Sequence, residues 1–166
     1  MIRDSWARCE MNRLAILLAA LVFGASLVFG QNSRDAIRTP EELVAKLYQV
    51  HKGKSDPLQY PHSEKLLGRY FFDPLLKLYL NDQRESKGEV GKIDFDPLYD
   101  AQDFKITNFK IVRLNNKDGD GLVAARFKNI GVDEEIVFEM RKIKTGWRIA
   151  DIKYKDGRTL MNLLKG

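Results

Sequence analysis

The chain has 166 residues, a formal net charge of +5 at pH 7 and one cysteine, Cys9. A lone cysteine excludes an internal disulfide framework, so packing alone must hold the fold. The cations are interleaved with acids ("KDGD", "DEEIVFEMRK", "DIKYKDGR"), which argues for a solvated surface and against a nucleic-acid-binding stripe.

The first element is a leader. "MNRLAILLAALVFGASLVFGQ" begins at Met11 and carries Arg13, an uncharged apolar run from Leu14 to Phe29, and small residues before Gln31. That is the pattern of a secretory signal with cleavage expected after Gly30. Met11 competes with Met1 as the true start. The apolar run is shorter than the roughly 20 residues of a spanning helix, so membrane attachment is expected only if the segment stays uncleaved. The expected location is periplasmic or secreted. Residues 31–38 read as a flexible leader and 39–166 as a single domain.

"TPEELVAKLYQVHKG" opens the first helix. Thr39 caps it, Pro40 suits its first turn, and Glu42 has the spacing of a capping box. Leu43, Leu47 and Val50 form its apolar face. "SEKLLGRYF" and "DPLLKLYLNDQRES" are two further helices with a break near Phe72, capped by Ser63 and Asp73 and ending by Gly88. "GEVGKI" is a glycine-punctuated loop.

After Asp103 the texture changes. "FKITNFKIVRL", "LVAARFKN", "EEIVFEMRKI" and "WRIADIKY" are rich in β-branched and aromatic residues and are separated by turn chemistry. They predict four strands of an antiparallel meander. Ile136, Phe138 and Met140 alternate with Glu135, Glu139 and Arg141, giving one buried and one wet face. Phe104 and Ile106 share one parity, Phe109 and Ile111 the other, so a bulge or bend is expected near Asn108. "DGRTLMNLLKG" predicts a short C-terminal helix. The class is α+β: N-terminal helices packed on a strongly curved antiparallel sheet of about four strands.

"TPEELVAKLY", the "DFDPLYDAQDF" corner and the "GWRIADIKY" strand with "DGRTLMNLL" after it together resemble a family of small exported bacterial proteins of uncharacterised function. That family is similar to the nuclear-transport-factor-2-like superfamily, the cystatin-like cone. The resemblance covers roughly Thr39 to Leu164. It implies a bent sheet wrapped on helices with a pocket between them. Cones of this kind include isomerases, dehydratases and binding modules, so fold does not fix function.

Candidate residues are few. In the corner, Asp96-Pro97 suits a capped turn, with Leu98 and Tyr99 inward and Asp100 and Asp103 bonding backbone amides. The competing readings put Asp94, Asp96 and Asp103 at a pocket rim beside Tyr99 as an acid–base group, or around calcium. Tyr48 and Tyr70 lie on helix faces that should meet the sheet and line a pocket or stitch the core. "NNKDGDGLV" opens like a calcium loop but has Phe127 where a bidentate Glu is required, so a hairpin turn is expected. His51 and His62 have no partner at metal-ligand spacing; His51 is placed to complement a helix dipole. Trp147 reads as packing. No serine-hydrolase elbow, zinc helix or phosphate loop is present, and no metal or cofactor is expected.

The leading expectation is a non-catalytic binding, adaptor or inhibitor-type module of the cell envelope. Its partner would be an envelope protein, a small apolar ligand or a second copy meeting it through the sheet. The alternatives are a pocket enzyme using Asp96 or Asp103 as acid–base, and a structural module without a pocket. They divide on whether a carboxylate faces an enclosed pocket close to a tyrosine hydroxyl.

Overall fold

The computed structural model describes residues 37–117 and 119–166, the side chains of Asn116 and Lys117 excepted. The expected signal segment and the leader up to residue 36 lie outside the described residues. Helix α1 spans Pro40–Val50. Its capping box is complete: Glu42 N–H donates to Thr39 Oγ1 at 3.2 Å, and Thr39 N–H donates back to Glu42 Oε2 at 3.3 Å. Leu43, Val44 and Leu47 are its buried face.

Helix α2 spans Glu64–Tyr70, and Ser63 Oγ accepts from Leu66 N–H as its cap. The break that follows has a tertiary cause. Phe71 bridges to Ile149 in the last strand, and Phe72 N–H donates to the Ile149 carbonyl at 2.7 Å. Helix α3, Asp73–Ser86, then restarts. The expected cap at Asp73 is corrected here: Phe72 occupies the cap position without a side-chain bond. Its extended backbone, pinned to Ile149, starts the helix one residue early. Asp73 instead pairs with Lys77 at 2.6 Å one turn on.

The four strands are β1 (Ile106–Lys117), β2 (Asp120–Asn129), β3 (Val132–Ile143) and β4 (Gly146–Lys153). They form an antiparallel meander in that order. β2 and β3 pair without interruption from Asp120↔Arg141 to Asn129↔Val132. β1 slips register between Thr107 and Lys110, where Asn108 takes φ 54°. This is the expected bulge, and it reconciles the two parities of the strand. Helix α4, Leu160–Lys165, closes the chain, with Thr159 Oγ1 capping Asn162 N–H.

One face of the sheet carries the core. Val123, Ala125, Ile136, Phe138, Met140, Ile149 and Ile152 pack with Leu43, Leu47, Leu67 and Leu75 of the three leading helices. Trp147 is also in this cluster, as packing. Each of these side chains larger than alanine contributes about 2 kcal/mol by leaving water. The opposite face is laced by Arg126–Glu135, Lys153–Glu139 and Arg141–Asp120 ion pairs. The calcium-like segment is a hairpin, since β1 and β2 pair as far as Lys117↔Asp120.

Candidate functional site

Two polar centres interrupt the apolar core. The first gathers at the C-terminus of α1. His51 is its C-cap residue, and its side chain is 7 % exposed. Nε2 lies 2.6 Å from Asp96 Oδ2, and Nδ1 lies 2.9 Å from Asp56 Oδ2 in a less well aligned contact. Burial alone would lower the imidazole pKa; the hydrogen bonds and charges of Asp56 and Asp96 overcome it and raise the value to about 9. Asp56 is the buried partner of this clasp. Burial would raise its pKa, but His51 and the N–H groups of Lys52 and Leu58 hold it below the ordinary aspartate value.

Asp96 caps the corner turn as expected. Its Oδ1 accepts from Leu98 N–H at 3.1 Å, and its carbonyl accepts from Tyr99 N–H. Tyr48 joins from α1, its hydroxyl donating to the Leu98 carbonyl at 2.6 Å. Tyr48 and Tyr99 meet edge to face, with ring centroids 5.6 Å apart. The structure therefore brings Tyr48, Asp96 and Tyr99 together. It does not add the others. Tyr70 is buried at the end of α2, and Asp103 is exposed. The expected backbone bonds of Asp100 are corrected: its carboxylate takes the Arg158 guanidinium through both oxygens, at 2.9 and 3.0 Å. Asp103 likewise makes no amide bond among the described residues, because its side chain points to solvent rather than back into the turn. With Asp96 committed to His51 and to Leu98 N–H, this corner offers structure, not a free acid–base group.

The second centre is a cleft of about 350 Å³ between α3 and the glycine-punctuated loop. Leu58, Val90, Ile93, Phe95 and Pro97 give it apolar walls, and Tyr60, His62, Tyr79 and Asp82 line it together with Gln83, Ser86 and Glu89. Tyr79 is 3 % exposed. Its hydroxyl and His62 Nδ1 are both buried without a hydrogen-bond partner among the described residues. Native proteins rarely leave such groups unpaired without a reason. Burial, reinforced by the charges of Tyr154, Asp96, Asp56 and Asp82, pushes the Tyr79 phenol well above its ordinary range. Burial holds His62 below the ordinary histidine value despite the opposing pull of Asp82 and Asp56. Both groups are therefore neutral hydrogen-bonding groups at neutral pH.

Local sequence explains the placement. Tyr79, Asp82 and Gln83 lie three and four residues apart on α3, hence on one face. Gln83 Oε1 accepts from His62 N–H and so ties the histidine loop to the helix. Asp82 Oδ1 accepts from Lys92 N–H at 3.0 Å and ties down the glycine loop. Gly91 is required by this approach: a Cβ there would stand 2.1 Å from Asp82 Oδ2. The reading of the sequence missed Tyr79 and Asp82 and gave His62 no role. The available signal was the Tyr-x-x-Asp-Gln spacing in "LYLNDQRES".

A wider groove of about 540 Å³ on the sheet is lined by Lys110, Arg126, Glu134, Glu135 and Lys155 among others. Most of its charges are paired internally, as Arg126–Glu135 and Lys155–Glu134. Among the described residues no group of three or more His, Cys, Asp or Glu side chains is placed to hold a metal ion. No described helix is long and apolar enough to cross a membrane.

No protein-family model matches the chain, and no curated protein does. Among solved structures it is similar to a phospholipid-binding protein from Ralstonia solanacearum in complex with a phospholipid. The identity is 17%, over 74% of this chain and 68% of the other, with a TM-score of 0.34. A likeness this loose fixes neither fold nor ligand.

Proposed function

We propose that this protein is a non-catalytic binding module of the cell envelope that holds a small, largely apolar molecule in the α3 cleft. One observation carries the reading: an apolar-walled cavity of about 350 Å³ has an unpartnered tyrosine hydroxyl buried at its wall. Ligand sites have this composition, with apolar walls for affinity and a few polar atoms for orientation. The volume sits at the small end of such sites, which suits a molecule of roughly ten to fifteen heavy atoms.

The envelope part of the proposal rests on the secretory pattern from Met11 to Gln31. The cone-like architecture remains part of the same proposal, supported by helices laid on one face of a bulged antiparallel sheet. The acid–base alternative loses its residues, because Asp96 and Asp103 do not line the cleft.

The test is native mass spectrometry of the protein purified without detergent from envelope extract, followed by solvent extraction of any bound mass. A stoichiometric small molecule that is lost from an Ile93→Trp variant, whose larger side chain at a half-buried lining position would crowd the cleft, supports the reading. Wild-type and variant proteins that carry the same bound mass, or none, would overturn it.

A further inference from the structure

We infer that the polar end of the cleft ligand is an organic ammonium group, with Asp82 as its counter-ion. The inference rests on the binding reading above and adds the charge of the ligand. Asp82 is 8 % exposed. A carboxylate this buried is normally paired with a cation, since removing an unpaired charge from water is expensive. Here it receives one described hydrogen bond, from Lys92 N–H. No lysine or arginine among the described residues forms an ion pair with it.

The nearby cations are engaged elsewhere. Lys92 Nζ donates to the Leu164 carbonyl at 3.1 Å and lies 3.5 Å from Glu85. Arg158 holds Asp100 and Asp156. In a chain of net charge +5, the cleft lining contains no lysine or arginine, while Asp82 and Glu89 both belong to it. That wall repels carboxylates and phosphates and attracts cations.

The rest of the lining says what kind of cation. Gln83, Ser86 and Glu89 add oxygens to the lining. No group of three or more His, Cys, Asp or Glu side chains among the described residues is placed to hold a metal ion, however, and the remaining walls are the apolar Leu58, Val90, Ile93, Phe95 and Pro97. These walls suit the hydrocarbon body of an amine. Tyr60, 49 % exposed at the cleft mouth, presents an aromatic ring of the kind that favours ammonium groups. The Tyr79 hydroxyl, otherwise unpartnered, belongs to the same cleft lining, three residues from Asp82 on one helix face.

Isothermal titration of the full-length protein with three probes of one shape tests this: 2-phenylethylammonium, 2-phenylethanol and 3-phenylpropionate. The ammonium is expected to bind at least about tenfold more tightly than the alcohol, with the propionate weakest. Asp82→Asn should erase the preference for the ammonium over the alcohol. The amide oxygen still accepts from Lys92 N–H, so the melting temperature should hold. Equal binding of ammonium and alcohol to both proteins would overturn the inference and leave the binding reading standing. Binding of none of the three, with only water bound at Tyr79, would overturn both.

Discussion

His51 shows how one residue can look idle in sequence and become central in space. Its two carboxylate partners come from different segments, one five residues away and the other forty-five. The folded imidazole titrates near pH 9 against 6.5 for the free group. The clasp therefore contributes fully below pH 6.5 and is lost as pH rises through about 9. A shift of this size is worth on the order of 3 kcal/mol, shared with Asp56. At the acid end, Asp56 has a lowered pKa, so its share is present above the ordinary aspartate range and fades as pH falls through its folded value. Thermal melts from pH 5 to 10 should show stability falling above pH 7. In His51→Gln the alkaline fall should vanish and stability at pH 6 should drop by about 2–3 kcal/mol. A wild-type profile that stays flat to pH 10 would contradict the clasp.

Tyr79 makes the opposite case at the same scale. A buried hydroxyl without a partner costs about 1–3 kcal/mol of stability. Tyr79→Phe removes it and keeps the ring contacts with Phe71 and His62. The variant should be as stable as the parent or more stable by about 1 kcal/mol, while cleft binding weakens. Urea denaturation measures the first and probe titration the second. A loss of more than about 1 kcal/mol would reveal a hidden partner for the hydroxyl, and the cleft would lose its main recognition group.

At the scale of elements, α3 and the loop from Gly88 to Phe95 make the cleft together, and Gly91 decides how closely they meet. Gly91→Ala drives a Cβ to 2.1 Å from Asp82 Oδ2. The carboxylate must leave Lys92 N–H or the loop must lift. Overpacking of this kind costs about 1–3 kcal/mol. Gly68 in α2 is the control, with open space where its Cβ would be. Gly68→Ala should stabilise by about 0.5–1 kcal/mol through helix propensity. Denaturant midpoints of the two variants should move in opposite directions. A neutral Gly91→Ala would mean that the loop does not rest on Asp82 as described.

Across the whole molecule, the parts legible in sequence are those with a period or a punctuation mark. Thr39, Ser63 and the Asn108 bulge each announce themselves locally, and Ile136, Phe138 and Met140 alternate as a buried strand must. The cleft has no such signature. Tyr79 and Asp82 look like an ordinary amphipathic face until an aperiodic loop closes over them. The aspartate corner was legible in part: Asp96 caps its turn as read, whereas Asp100 is drawn off to Arg158, a partner 58 residues away that no local pattern shows. What the periodic pattern also marks is the segment before Gln31, and this carries the last prediction. If the apolar stretch from Leu14 to Phe29 is a secretory signal, envelope protein from native expression should begin at Gln31, as read by N-terminal sequencing. Replacing Val28 and Gly30 with bulky charged residues should block processing, because the peptidase reads small side chains at these two positions. The uncut chain should then fractionate with membranes. Wild-type protein that keeps residues 14–29 and sediments with membranes would make the segment an anchor. The cleft would then work tethered to a bilayer rather than free in the envelope space.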